Sequence, residues 1–224
     1  MLVLYPLFVV LLLREDWFPL AYRLKRVWAG WILFASGILV KVKTETDLKK
    51  LPNPVIFCAN HTSYLDIVVS YYLLPGYFVF MGKQELDRIP LFRIFFRKMN
   101  ILVDRKSKIG SHKAFLQAGE EVEKGHSVFL FPEGTISKEA PLLRPFKNGS
   151  FKLAIDKQIP IVPITFTNNW HILQNGGFFK ANGRPGIAEV VVHAALETKG
   201  LGDDDLLSLR GKISDIIASG FHLD

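Results

Sequence analysis

The stretch Val55-Ile56-Phe57-Cys58-Ala59-Asn60-His61-Thr62-Ser63-Tyr64-Leu65-Asp66 decides how the whole chain is interpreted. Its first five residues form a short apolar run that begins with β-branched and aromatic side chains, which predicts a buried strand. A polar loop follows, and then a helix over Ser63–Leu74 that ends before Pro75-Gly76. A buried strand that leads through a polar loop into a helix is typical of an α/β fold.

The alternation of strands and helices continues along the chain. Further predicted strands are Leu39–Lys43, Tyr77–Met81, Asn100–Val103, Val128–Phe131, Ile161–Phe166 and Glu189–Ala195. Further predicted helices are Pro90–Met99, Ser111–Lys124, Gly149–Lys157 and Asp203–Ala218. The pattern predicts an α/β fold with a mixed, largely parallel sheet flanked by helices.

Residues 1–40 differ from the rest because they contain two long apolar runs, 1–13 and 27–40. Each run is shorter than the ~20 residues that a membrane-spanning helix needs. Trp17, Trp28 and Trp31 lie near basic residues, which favours a two-helix membrane-associating hairpin embedded in the interface. The alternative is a pair of core helices in a soluble domain. The expected division is a membrane-anchoring hairpin over 1–40 and a second domain over 41–224.

The composition is both apolar and basic. The 224 residues are 49% hydrophobic and carry a formal net charge of +7, which excludes a disordered or coiled-coil protein. Nine basic and only three acidic residues lie between Lys83 and Lys113, so nearly all the net charge is in this segment. Such a segment favours a phosphorylated ligand, anionic lipid or nucleic acid as partner. We expect no nucleic acid, because the N-terminal apolar runs would have no role in binding it.

His61 and Asp66 are the first candidates for chemistry. A spacing of five does not bring two side chains to one helix face, so His61 is expected in the loop and Asp66 in the first turns of the helix. From there the carboxylate can accept the imidazole Nδ1–H and leave Nε2 free as a general base. The spacing alone is weak evidence, and a helix start capped by Thr62 or Ser63 explains the same residues.

A second polar loop, Phe131-Pro132-Glu133-Gly134-Thr135, also follows a predicted strand. Proline and glycine predict a turn, which would leave Glu133 and backbone N–H groups at the carboxyl end of the strand. The loops that contain His61 and Glu133 could therefore share one crevice. The alternative is a tight turn with an exposed glutamate.

Other chemistries lack their motifs. The chain has no Gly-x-Ser-x-Gly elbow and no glycine-rich nucleotide loop, and His171 and His193 have no partner at metal-ligand spacing. The single cysteine, Cys58, excludes an intrachain disulfide. No nucleophile adjoins His61 in the sequence, which favours direct transfer to a substrate hydroxyl over a covalent enzyme intermediate.

Four blocks resemble the 1-acylglycerol-3-phosphate (lysophosphatidic acid) acyltransferase family, in the order and spacing of that family. The blocks are Asn60-His61-Thr62-Ser63-Tyr64-Leu65-Asp66, the segment from Lys83-Gln84-Glu85-Leu86 to Ile101-Leu102-Val103-Asp104-Arg105, Phe131-Pro132-Glu133-Gly134-Thr135, and Ile161-Val162-Pro163-Ile164. The resemblance implies transfer of a fatty acyl group from acyl-CoA or acyl-carrier protein to 1-acylglycerol-3-phosphate, which yields phosphatidic acid.

The resemblance also implies roles for individual residues. His61 would deprotonate the acceptor hydroxyl and Asp66 would orient the imidazole. Lys83 or a backbone amide could stabilise the thioester oxyanion. The acceptor site would be formed by Arg105, Glu133, Gly134, Thr135 and the recurring basic position Lys147, with Arg105 binding phosphate. No metal and no bound cofactor are implied, since the acyl carrier is a co-substrate.

The chain departs from the family pattern at Ile136, where the family typically has an arginine that contacts the acceptor phosphate. The loss of one charge-assisted contact, typically worth ~1.5–3 kcal/mol, leaves the acceptor open. Lys138, Arg144 or Lys147 could replace it. The alternatives are an acyltransferase for another lysophospholipid or aminolipid hydroxyl, and a non-catalytic membrane-binding module. The expected location is a membrane, at the cytoplasmic face of a bacterial inner membrane, with its phospholipids as partners.

Overall fold

One sheet organises the computed structural model, which describes residues 5–84, 93–104, 107–175 and 181–222. Its strands are β1 (Ile38–Thr44), β2 (Ile56–Ala59), β3 (Phe78–Lys83), β4 (Asn100–Val103), β5 (Ser127–Leu130), β6 (Ile161–Phe166) and β7 (Gly186–Val192). The spatial order is β1-β7-β6-β2-β5-β3-β4, and only the β6–β7 pair is antiparallel. The prediction of a mixed, largely parallel sheet is confirmed.

Helices cover both faces of this sheet. They are α1 (Tyr5–Leu11), α2 (Phe18–Ala35), α3 (Leu65–Leu73), α4 (Arg93–Met99), α5 (Lys108–Glu123), α6 (Gly149–Lys157), α7 (Asn169–Ile172) and α8 (Leu206–Ser219). Helix α5 begins earlier than the predicted start at Ser111. Its cap is Ser107, whose Oγ accepts a hydrogen bond from the Gly110 N–H at 3.1 Å. Ser111, where the sequence predicts the start, lies inside the helix instead.

The alternation of side chains along β2 separates two hydrophobic cores. Phe57 and Ala59 face a core that contains residues of α1, α2 and α3. Ile56 and Cys58 face the opposite core, which contains residues of α5, α6 and α8. Successive strand residues point to opposite faces, so a fully apolar strand such as β2 must be covered on both sides.

Helix α2 has two different faces. Its inner face is buried in the first core and includes Ala29 and Leu33. Its outer face exposes large apolar side chains, and Trp31 and Phe34 are 63% and 76% exposed. Across the described residues, no helix combines the length and apolarity that a membrane crossing requires. The membrane-associating hairpin and the division at residue 40 therefore stay predictions.

Lys25 lies on the inner face of α2 and is 7% exposed. Its Nζ lies 3.4 Å from the Tyr71 hydroxyl oxygen and 5.0 Å from the centre of that ring. Burial removes water from the ammonium group and lowers the pKa of Lys25 to about 7.

This burial predicts a pH-dependent stability. Between pH 7 and ~10.4, the usual lysine pKa, Lys25 is protonated in the unfolded chain and largely neutral in the folded one, so stability should rise with pH. Lys25→Met should weaken this rise, because the titrating group is gone. Denaturant unfolding of the whole chain from pH 7 to 10 measures the slope. Lys41→Met, at an exposed site, should keep the wild-type slope, and an unchanged slope in Lys25→Met would contradict the prediction.

Candidate active site

The order of the strands places a topological switch point at the carboxyl ends of β2 and β5. These two strands are neighbours, but the chain leaves β2 into α3 on one face of the sheet and leaves β5 towards α6 on the other face. Such a switch point opens a gap beyond the strand ends, where open α/β sheets bind ligands. The loops with His61 and Glu133 lie at this gap.

His61 and Asp66 are in direct contact. The imidazole Nδ1 lies 2.9 Å from Oδ2 of Asp66, which is the second residue of α3. Because Nδ1 faces a carboxylate, it carries the proton of the neutral imidazole, and Nε2 keeps its lone pair. This arrangement suits an imidazole that accepts a proton at Nε2.

The Asp66 carboxylate is fully buried and saturated with donors. Oδ2 also accepts from the backbone N–H groups of Thr62 and Ser63, at 2.7 and 2.9 Å. Oδ1 accepts from Nδ2 of Asn169 at 2.8 Å. These donors stabilise a buried charge that would otherwise be too costly to keep.

An aromatic ring fixes the other side of His61. The imidazole stacks on Phe131, with ring centroids 3.8 Å apart and planes inclined by 14°. Phe131 continues an array of phenyl rings on the first core that also includes Phe57, Phe78, Phe80 and Phe129. The ring plane of His61 is therefore held by packing, while its Nδ1 is held by Asp66.

Glu133 joins two loops. Its side chain is only 3% exposed, whereas the alternative prediction from the sequence was an exposed glutamate in a tight turn. Oε1 accepts from the His61 N–H at 2.7 Å, and Oε2 accepts from the Arg144 N–H at 3.0 Å. The two hydrogen bonds lower the pKa of Glu133, but burial has the larger effect and raises this pKa above the usual carboxyl value. Both oxygens thus bind backbone groups of the protein.

The side chain of Lys147 covers the turn after Glu133. Gly134 has a φ of +74°, and a Cβ at this position would lie 2.9 Å from the Lys147 Nζ. The Lys147 backbone N–H donates to the Pro132 carbonyl at 2.9 Å, which holds the lysine against the turn. Glu133, Gly134, Lys147 and the exposed Thr135 therefore form one cluster, joined to His61 through Glu133.

Two of the candidate residues lack a described side chain. Lys83 is the last residue of β3, so its backbone lies at the same edge of the sheet as His61, but its side chain is outside the described part of the structure. Arg105 lies outside the described residues altogether. Their contributions to the site stay predictions.

Asn169 and the stacking of Phe131 on His61 were not predicted from the sequence. Asn169 lies three residues beyond β6, whose carboxyl end adjoins that of β2. A polar residue just past an apolar strand is the signal that could have found it. Among the described residues, no three His, Cys, Asp or Glu side chains assemble as metal ligands.

The chain resembles known proteins in sequence. Residues 40–167 match the family model described as Acyltransferase. A protein of Haemophilus influenzae named 1-acyl-sn-glycerol-3-phosphate acyltransferase is 32% identical over 139 residues, which are 61% of this chain and 57% of that protein. The protein of the same name from Escherichia coli is 33% identical over 147 residues, 62% of this chain and 59% of that protein. The matched regions thus span less than two thirds of these two curated relatives.

A solved structure shares the fold. The crystal structure titled as the 1-acyl-sn-glycerophosphate (LPA) acyltransferase, PlsC, from Thermotoga maritima aligns with a TM-score of 0.77 and 21% identity. The alignment covers 93% of this chain and 81% of that one. The family model includes both β2 with the His61 loop and β5 with the Glu133 loop, and it covers more than half of the residues. The chain belongs to the acyltransferase family.

Proposed function

We propose that the chain transfers a fatty acyl group from a thioester to the free hydroxyl of 1-acylglycerol-3-phosphate, giving phosphatidic acid. The observation that carries the proposal is the His61 imidazole, held by Asp66 at 2.9 Å and by the Phe131 ring. The names of the bacterial relatives support the choice of acceptor.

The proposed chemistry is a direct transfer. Nε2 of His61 takes the proton of the acceptor hydroxyl as its oxygen attacks the thioester carbonyl. The tetrahedral intermediate then collapses, an ester forms, the carbon–sulfur bond breaks, and the leaving thiolate receives the proton from the imidazolium. Asp66 stabilises the imidazolium while it exists. Lys83 or a backbone N–H would stabilise the oxyanion.

The acceptor phosphate is proposed to bind at the Glu133–Thr135 turn. The ammonium of Lys147 lies over Gly134, and Ile136 occupies the position where the resemblance leads us to expect an arginine. A cation is therefore still present at the turn, from a different position in the sequence. Arg105 is proposed as a second phosphate ligand, and Thr135 as a polar contact.

The donor is proposed to be acyl-CoA or acyl-carrier protein, because both present the same phosphopantetheine thioester. The transfer needs neither a metal nor a bound cofactor, since the thioester itself is activated. In the described part of the basic segment, Arg97, Lys98 and Lys113 are exposed and could attract these anionic donors.

The outer face of α1 and α2 is proposed to rest on membrane phospholipids, at the cytoplasmic face of a bacterial inner membrane. It exposes Leu7, Val10, Val27, Trp31 and Phe34. The start of β1 follows α2 closely. Because β1 and β7 are both antiparallel to β6, this start lies at the carboxyl ends of β2 and β6. Trp31 and Phe34 near the end of α2 are thus near the edge that carries His61.

A second candidate is an acyltransferase for another lysophospholipid or an aminolipid. Ile136 favours it, because an apolar side chain at this position removes one contact to a phosphate. Turnover of another lysophospholipid or of an aminolipid in preference to 1-acylglycerol-3-phosphate would select this candidate.

The general-base role predicts the effect of two substitutions. His61→Ala and Asp66→Asn should each lower turnover by about 10²–10⁴-fold, because the proton acceptor is lost or loses its fixed orientation. Thiol release from acyl-CoA and acyl-carrier protein, with a panel of acceptors, measures it. His126→Ala is a matched control, since His126 Nδ1 also binds a carboxylate, Glu121, at 2.7 Å. Turnover of His61→Ala within a few-fold of wild type would refute the mechanism, and no turnover by wild type would favour a membrane-binding module.

The phosphate role of Lys147 predicts a selective change in KM. Lys147→Ala should raise the KM for 1-acylglycerol-3-phosphate about tenfold or more, since a charge-assisted contact is lost, and should leave kcat nearly unchanged. Lys147→Arg should restore most of the affinity. Steady-state kinetics with phosphorylated and phosphate-free acceptors test this. Equal losses with both acceptors would contradict the role.

The apolar face predicts membrane binding. Replacing Trp31 and Phe34 together by glutamate should reduce co-sedimentation with anionic phospholipid vesicles severalfold, because two exposed apolar side chains become charged. Ile109→Glu, also at an exposed apolar position but on α5, is the control. Binding equal to wild type in the double variant would exclude this face as the contact surface.

A further inference from the structure

Asn169 is the fully buried first residue of α7. It follows β6, the strand that pairs with β2 on the side away from β5. Its Nδ2 donates to Oδ1 of Asp66 at 2.8 Å. Asn169 therefore contacts the carboxylate that orients His61, from an element that lies more than a hundred residues further along the chain.

The two oxygens of Asp66 have separate partners. Oδ2 binds the His61 Nδ1 and two backbone N–H groups, whereas Oδ1 accepts from Asn169 at 2.8 Å and from the Thr62 hydroxyl at the longer distance of 3.4 Å. A carboxylate that is held only at one oxygen can rotate about its Cβ–Cγ bond. The Asn169 amide holds the second oxygen and so fixes the direction of the lone pair that faces Nδ1.

The position of Asn169 is itself well determined. The Ser63 hydroxyl donates to the Leu173 carbonyl at 2.7 Å, and the Leu173 N–H donates to the Asn169 carbonyl at 2.9 Å. Asn60 both donates to and accepts from the backbone of Phe166, at 3.0 and 2.8 Å. The loop after β2 and the loop after β6 are thus joined on both sides of His61.

The other end of the Asn169 side chain points to a role beyond packing. Its Oδ1 is buried and has no hydrogen-bond partner among the described residues. An unpaired buried carbonyl oxygen destabilises the fold, so a position selected for stability alone would not favour a second polar atom here. The donor end, in contrast, makes a short bond to the buried carboxylate.

We propose that Asn169 is a positioning residue for acyl transfer, which holds Asp66 so that His61 can act as the base; this rests on the function proposed above. Loss of the amide leaves both substrate sites intact but lets the Asp66–His61 pair lose its alignment. The effect belongs to kcat, and it depends on a hydrogen-bond donor at residue 169 that reaches Asp66 Oδ1.

Two substitutions at residue 169 test this inference. Asn169→Ala should lower kcat about 10- to 100-fold and leave both KM values within twofold of wild type. Asn169→Asp places a second buried carboxyl group at the position of the amide, 2.8 Å from Asp66 Oδ1, and two buried carboxyl groups this close share one proton. The protonated carboxyl of this variant can donate to Asp66 in place of the amide, with Glu133 as the other carboxylate that faces His61 and Asp66. Its kcat should therefore exceed that of Asn169→Ala at low pH and fall as the pH rises and the shared proton is lost, a decline that wild type does not show.

Asn168→Ala provides the matched control. The side chain of Asn168 binds the Ile187 carbonyl and the Glu189 N–H, at 2.9 and 3.0 Å, and so attaches the same segment to β7 without touching Asp66. This variant should lower the unfolding temperature and leave both kcat and the pH profile unchanged.

The outcomes separate this inference from the proposed function. A kcat for Asn169→Ala equal to that of Asn168→Ala, or a kcat of Asn169→Asp with the same pH dependence as wild type, overturns the role of Asn169 while His61→Ala remains inactive. Turnover of His61→Ala within a few-fold of wild type overturns the general-base mechanism and this role together. If Asn169→Ala does not fold, the pH profile of the isosteric Asn169→Asp decides.

Discussion

The buried charge of Asp66 is the constraint on which the candidate site depends. A carboxylate without contact to water must be surrounded by donors, and Thr62, Ser63 and Asn169 provide them. The need for these donors closes the loop after β2 into one conformation and attaches it to α7. His61 is held by the same carboxylate, so the site and the stability of its loop have one origin.

Glu133 is a second buried carboxylate that is surrounded by donors, on the other side of β2. Its two oxygens bind the backbone of His61 and of Arg144, and thereby join the loop after β2 to the segment that follows β5. Two buried carboxylates thus connect the ends of three strands that are neighbours in the sheet, β6, β2 and β5. Since these strands are distant in the chain, the arrangement exists only after the sheet has formed.

The sequence was sufficient for features that depend on local patterns. All seven strands and the positions of His61 and Asp66 follow from apolar runs, turn residues and their spacing. Features that depend on contacts between distant segments could not be predicted from the sequence. No local pattern in the sequence shows which distant segments come into contact. Three features of the site depend on such contacts: the approach of Lys147 to Gly134, the burial of Glu133, and the contact of Asn169 with Asp66. The start of α5 was predicted at Ser111 and not at Lys108, because serine is a common capping residue and both Ser107 and Ser111 are serines.

The short connection between α2 and β1 has a consequence for how a lipid would reach the site. Only Ser36 and Gly37 separate the helix from the strand, and a Cβ at Gly37 would lie 3.0 Å from Pro185, so the joint has little room to bend. The apolar face of α2 is therefore closely connected to the edge with His61. On the proposed membrane orientation, a lysolipid could keep its acyl tail in the hydrocarbon layer while its headgroup reacts. The product would then leave by lateral diffusion.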